Sequence, residues 1–255
     1  MTQENLWGYA KRLRFVQHVL AESFPDRAAD SLRVLDVGCG NGSELTLPLA
    51  RLDFAVTGID IHAPSIEHAR QLGADVRNLS YVCGPVEELK APPFDVVILS
   101  EVLEHLTEPR LLLLAAKEHL KKHGIIIVTV PNGYGEFEID SWLFRMFRVQ
   151  RVVDALVRNG KEVIAATDNH ESGHVQFFTR RQLRHLFAEC SLSVASEGVA
   201  SFLAGPFIGH TLARSERFIE WNARITDKLP ALLASGWYYA LRLRGVEDPL
   251  EDQNI

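Results

Sequence analysis

Cysteine is scarce in this chain: Cys39, Cys83 and Cys190 are the three among 255 residues, and none forms a Cys-x-x-Cys pair. That excludes a disulfide framework and a zinc ribbon, and it points to a reducing compartment. No apolar run approaches the roughly 18–20 residues that spanning a bilayer requires. The opening Met1-Thr2-Gln3-Glu4-Asn5 lacks the basic-then-apolar pattern of a signal peptide, so a cytoplasmic protein is expected. Basic charge is not in surplus either. Lys and Arg number 27 against 33 Asp and Glu, a net charge of −6, which argues against a broad nucleic-acid-binding surface. The local group Arg180, Arg181, Arg184 and His185 reads as a solvated helix face. Internal repeats and low-complexity tracts are missing. What is plentiful is apolar content, 47% of residues, enough for one sizeable core.

Along the chain, Leu6, Tyr9, Leu13, Val16 and Leu20 recur at helical steps, giving an N-terminal helix within residues 1–30 that Pro25 ends. From Arg33 onward, short apolar runs alternate with helical stretches. Strands are expected at Val34–Val37, Phe54–Ile59, Tyr81–Cys83, Phe94–Leu99 and Gly124–Val130, with helices at Glu44–Leu52, Pro64–Leu72 and Pro109–Lys121. Continuous apolar strands separated by helices imply a doubly wound, mostly parallel α/β sheet covered on both faces. A helix capped by Thr179 runs to Cys190, and a strand follows at Leu192–Glu197. The cofactor-binding domain is expected over residues 31–200. It includes a lid over 132–175, where Phe137, Trp142, Phe144, Met146 and Phe147 can line an apolar pocket or pack a short helix. Residues 201–255 read as a helical extension carrying Trp221, Leu229, Leu232, Leu233, Trp237, Tyr238 and Leu241, with Arg242 and Arg244 behind them. Its aromatic and basic pattern leaves three uses open: peripheral membrane contact, a homodimer interface, or packing on the domain.

Gly38, Gly40 and Gly42 alternate directly after the first strand. A loop passing close beneath a ligand needs residues without a Cβ that are free to adopt positive φ. Asp36 precedes the loop, and Asp60 closes the second strand eighteen residues after Gly42, where a carboxylate can accept from both ribose hydroxyls. A nicotinamide or flavin site would want G-x-G-x-x-G, and position 43 is Ser. The acidic leader favours a cationic ligand, as the sulfonium and amino groups of S-adenosylmethionine (SAM) are.

These segments resemble the class I SAM-dependent methyltransferases. Val34-Leu35-Asp36-Val37-Gly38-Cys39-Gly40-Asn41-Gly42 with Gly58-Ile59-Asp60 is similar to that family's first two motifs. Phe94-Asp95-Val96-Val97-Ile98 with Ser100-Glu101-Val102-Leu103-Glu104-His105-Leu106 is similar to its fourth, and the strand running into Pro131-Asn132 to the next. The resemblance covers roughly residues 30–196 and implies a Rossmann-like fold. It implies that Asp36, Gly38, Gly40 and Gly42 hold the methionine end of SAM, that Asp60 takes the ribose, and that Ile61 packs on the adenine, with Val86 and Ser100 also at the cofactor. The Asp or Ser that often follows the third strand in that family is replaced by Gly84-Pro85-Val86, which leaves the adenine to backbone contacts or to Glu87.

Glu101, Glu104 and His105 would share one face if their segment is helical. Two carboxylates so close call for a cation. A divalent metal (Mg, Mn, Zn or Fe) held by Glu101, Glu104, His105 and a lid histidine, His174 ahead of His170, is one reading. The others are a metal-free base at His105 or His174, and a polar helix start. The cluster resembles that of ubiquinone-biosynthesis O-methyltransferases, and also the metal site of small-RNA 2′-O-methyltransferases. The expected function is SAM-dependent O-methylation of a small-molecule hydroxyl on a phenol, polyketide, sugar or isoprenoid. RNA 2′-O-methylation and a non-catalytic SAM-binding scaffold are the alternatives.

Overall fold

The computed structural model describes residues 8–133, 173, 175–203 and 215–246. Helix α1 (Tyr9–Ser23) leads into strand β1 (Arg33–Val37), followed by α2 (Thr46–Ala50), β2 (Ala55–Asp60), α3 (Ala63–Leu72), β3 (Leu79–Cys83), β4 (Phe94–Ser100), α4 (Pro109–Glu118) and β5 (Leu120–Pro131). After residues 134–172, on which the expected lid and its aromatic residues fall and which lie outside the described residues, come α5 (Arg180–Glu189) and β6 (Leu192–Val199). Helix α6 (Glu216–Ile225) and strand β7 (Gly236–Leu243) complete the described chain.

The seven strands form one sheet in the order β3-β2-β1-β4-β5-β7-β6. Strands β1 to β5 pair in parallel, and β7 runs antiparallel to both β5 and β6. Successive strand residues face opposite sides, so each apolar strand feeds two cores. Leu35, Val37, Val97, Leu99, Ile126 and Val128 face one side, against Leu113 and Ala116 of α4 and Leu183 and Phe187 of α5. Val34, Val56, Val96, Ile98, Ile125 and Ile127 face the other, against Leu13, Val16 and Leu20 of α1 and Leu49 of α2. The doubly wound sheet expected from the strand–helix alternation is therefore present.

Several boundaries move by a few residues. The helix expected at Glu44–Leu52 is regular over Thr46–Ala50 alone. Strand β5 starts at Leu120, paired with Phe94, so α4 stops before the expected Lys121.

The C-terminal extension is corrected more deeply. Only Glu216–Ile225 is α-helical there among the described residues. Two 3₁₀ turns, Thr226–Lys228 and Ala231–Leu233, flank Pro230. Trp237, Tyr238, Tyr239 and Leu241 lie on β7, buried between β5 and β6. They are sheet core, so of the three uses left open these residues take packing on the domain, as a strand and not as the expected helix. This strand is the antiparallel partner of β6.

Candidate cofactor and acceptor site

The glycine loop leaves the C-terminal end of β1, where ligands bind in open parallel sheets. Gly38 N–H and Cys39 N–H both donate to the Ile59 carbonyl, at 2.8 and 3.1 Å, fixing the loop to β2. Gly38, Gly40 and Gly42 have φ of 72°, 55° and 71°, a left-handed conformation that favours glycine. A Cβ would lie 2.5 Å from Val102 at Gly38 and 2.2 Å from the Tyr81 hydroxyl at Gly42, whereas at Gly40 it would meet nothing within 4 Å. The Asp60 carboxylate ties the end of β2 to this loop. It accepts from Gly40 N–H and His62 N–H, both at 2.8 Å. Ser43 bonds through its N–H and hydroxyl to the Asn41 side chain, closing the loop.

Asp36 is buried and accepts from the Thr46 hydroxyl at 2.6 Å. Burial pushes its carboxyl up to about 7, with the Thr46 bond opposing. Ile61 is 76% exposed, an unusual degree for isoleucine, directly after the Asp60 carboxylate. Val86 turns its side chain into the core, and its carbonyl accepts from His119 Nε2 at 2.8 Å, so any ligand contact at Val86 would come from its backbone.

Glu101, Glu104 and His105 follow β4, but they do not share a helix face. Glu101 takes a left-handed φ of 54°, and a single 3₁₀ turn covers Leu103–His105. Among the described residues no three His, Cys, Asp or Glu side chains gather as a metal-holding group, and His174 and His170 lie outside them. A cation beside Glu101 among the described residues is Arg12 of α1. Its Nη2 stands 3.3 Å from Glu101 Oε1, and its Nη1 reaches Glu44 at 3.3 Å and Ser100 Oγ at 3.1 Å. Thr129 Oγ1 donates to Glu101 Oε1 at 2.8 Å, and Ser100 and Thr129 share a bond at 3.0 Å. Arg12 and Thr129 both hold Glu101 through Oε1. Nothing in the sequence marks Arg12, because its partners are distant along the chain and it is one of several basic residues on its helix.

Glu104 is buried, with Oε1 3.9 Å from His105 Nε2 and Oε2 lacking a hydrogen-bond partner among the described residues. Burial, reinforced by the Glu101 charge, raises its carboxyl well above the usual carboxylate range. Its carbonyl accepts from Val175 N–H at 2.9 Å and Gln176 N–H at 3.2 Å, anchoring the chain that returns toward α5. Arg180 and Arg184 both pair with Glu197, so much of the basic group on α5 is neutralised locally.

A family model described as a methyltransferase domain matches residues 8–197, from the cap of α1 into β6. The chain belongs to the methyltransferase-domain family. Over 133 residues it is 39% identical to the ubiquinone biosynthesis O-methyltransferase of Caulobacter vibrioides, covering 48% of this chain and 51% of that one. The chain thus spans about half the length of the curated relatives it matches. In fold it is similar to the magnesium protoporphyrin IX methyltransferase of Synechocystis, with a TM-score of 0.56, 16% identity, and coverage of 91% of this chain and 83% of that one. It is similar also to the cyclase SpnF, with a TM-score of 0.58, 15% identity, and coverage of 96% and 88%. The family's class I architecture is the one built here, with the glycine loop after β1 and the acid after β2. The Trp237–Leu241 strand lies beyond the span of the family model.

Proposed function

We propose that this chain is a SAM-dependent O-methyltransferase acting on the hydroxyl of a small molecule. The observation that carries the reading is the loop of three left-handed glycines bound to Asp60 through the Gly40 amide, at the carboxyl end of a parallel sheet. Similarity to ubiquinone biosynthesis O-methyltransferases supports oxygen as the acceptor atom and a phenol as the first class to try.

SAM, when bound, supplies a methyl group on a cationic sulfur. The chain's own residues then have three tasks. Gly38, Gly40 and Gly42 let the backbone approach closely, with Asp36 offering a carboxylate to the cationic end. Asp60 keeps one lone pair on each oxygen free for ribose hydroxyls, and Ile61 offers an apolar face to the adenine, with Val86 and Ser100 beside them. His105 takes the proton that the acceptor hydroxyl loses as its oxygen gains the methyl group. His174 is the second candidate for that proton.

Titration calorimetry with SAM and with S-adenosylhomocysteine tests the cofactor. Asp60→Ala is expected to weaken both by about tenfold or more, and an absence of binding heat in the unaltered chain sinks the reading. Turnover on a panel of catechols, followed by release of S-adenosylhomocysteine, tests the chemistry. Cofactor binding without turnover on any hydroxyl acceptor would favour a non-catalytic scaffold. A chelator separates two ways of activating the hydroxyl. Activity that survives leaves the proton with a histidine. Activity that is lost and then restored by Mg²⁺ or Mn²⁺ assigns the step to a metal at Glu101, Glu104, His105 and His174.

A further inference from the structure

Two consecutive residues of α1 grip different parts of the molecule. Arg12 holds Glu44, Ser100 and Glu101 beside the cofactor loop. Lys11 reaches the connection between β6 and β7. Its Nζ donates to the Ala223 carbonyl at 2.8 Å and the Ala200 carbonyl at 3.2 Å, and it pairs with Asp227 at 2.7 Å. Ala223 lies in the last turn of α6, so the ammonium sits where the free carbonyls and negative end of that helix gather.

The connection is stitched elsewhere too. The fully buried Asn222 amide exchanges two hydrogen bonds with the Leu203 backbone, at 2.8 and 2.7 Å. Asn132, at the end of β5, gives its side-chain N–H groups to the Leu232 and Ala234 carbonyls, both at 2.9 Å. The described parts of the connection, residues 200–203 and 215–235, therefore lie at the same end of the sheet as the cofactor loop, with Trp221, Leu232 and Leu233 exposed.

We propose that Lys11 is a positioning residue that makes the β6–β7 connection respond to occupancy of the cofactor site, with α1 as the rigid link. This rests on the reading of the glycine loop as a SAM site. Adjacent residues on one hydrogen-bonded helix share its backbone, so a shift of the helix moves both. A ligand that steadies the groups around Arg12 therefore steadies the groups held by Lys11, and the coupling is reciprocal. A demonstrated response of the second element is what such a link requires.

Hydrogen exchange on the full chain, with and without S-adenosylhomocysteine, reads it directly. Amides of residues 216–229 are expected to slow by about tenfold when the ligand binds, while those of α5 stay unchanged. In Lys11→Met the ligand still binds by calorimetry but the slowing at 216–229 is lost, and Lys11→Arg restores it. If Lys11→Met does not fold, Asp227→Asn carries the test from the exposed partner, and the slowing shrinks. Slowing that persists undiminished in these variants overturns the proposal, as does ligand binding to the unaltered chain with no change at 216–229. Absent binding heat removes the cofactor reading and this proposal with it, and that failure is told apart by the calorimetry.

Discussion

Gly40 and Gly42 share a left-handed backbone but not their surroundings, so alanine at the two positions separates conformational cost from steric cost. At Gly40 a Cβ meets nothing within 4 Å, and Gly40→Ala is expected to cost about 1–2 kcal/mol from φ alone. At Gly42 the same penalty is joined by the Tyr81 hydroxyl, 2.2 Å from the added carbon. Gly42→Ala is expected to melt lower than Gly40→Ala, and Tyr81→Phe in that background to recover part of the loss. Tyr81→Phe alone should cost little, because the buried hydroxyl has no hydrogen-bond partner among the described residues. Equal melting of the two alanine variants would show that the ring moves aside freely. Asp36 carries a second prediction at this scale. Its carboxyl ordinarily titrates near 3.8 and is pushed to about 7 by burial. Between those values the folded chain holds a proton that the unfolded chain has released, so stability falls as pH rises through that window. Glu44 and Glu104, both raised by burial, slope the same way. Asp36→Asn should therefore flatten part of the decline in urea midpoint between about pH 4 and about pH 7 in the ligand-free protein. An unchanged slope would place the Asp36 charge elsewhere.

Helix α5 and strand β7 make the element scale concrete. Thr179 and Gln182 form a reciprocal cap on α5, the Thr179 hydroxyl accepting from Gln182 N–H at 3.2 Å and Gln182 Oε1 accepting from Thr179 N–H at 2.8 Å. Thr179→Ala is expected to cost about 1 kcal/mol. Tyr239 is fully buried on β7, with its ring edge-on to Phe187 of α5 at 5.2 Å. Tyr239→Ala is expected to cost about 3–5 kcal/mol in chemical denaturation, and a loss below that of Thr179→Ala would be incompatible with a central strand. The cap and its helix are legible in the sequence because every residue involved lies within one turn. The strand is harder to read. Trp221, Leu229, Leu232, Leu233 and Trp237 fall at spacings close to the helical period, yet α6 ends at Ile225 and Pro230 separates two short 3₁₀ turns. The signal that survives is local: Trp237-Tyr238-Tyr239-Ala240-Leu241 is apolar at every position, as a strand buried on both faces requires, and rich in aromatic residues. The glycine loop is readable for the same reason as the cap, and Asp60 because it closes the next apolar strand. The cation beside Glu101 is not, because 88 residues separate Arg12 from Ser100 and only the folded sheet brings them together.

Across the whole molecule the two ends of the sheet divide the work. The carboxyl ends carry the candidate site, and the amino ends carry a charged anchor at Asp95, near the start of β4. Its carboxylate accepts from Arg33 N–H of β1 at 2.9 Å and from Lys121 of β5 at 2.9 Å, and it pairs with Arg27 from the chain that follows α1. Burial alone would raise this carboxyl, but the Arg33 amide, Lys121 and Arg27 outweigh it and hold it below the usual range. A lowered folded value means that its stabilisation is present above the unfolded value and is lost as pH falls through the folded one. Asp95→Asn keeps the shape and removes the charge, and since Lys121 and Arg27 remain partly exposed it is expected to cost about 2 kcal/mol near neutral pH. The gap between the variant and the unaltered chain should close in strong acid, where both carry a neutral side chain. Affinity for S-adenosylhomocysteine should stay unchanged, because among the described residues Asp95 bonds to Arg27, Arg33 and Lys121, at the other end of the sheet from the glycine loop. Urea titrations at several pH values, paired with calorimetry, check both halves. A variant of equal stability at neutral pH would dissolve the anchor, and a weakened ligand would mean that the two ends of the sheet are not independent.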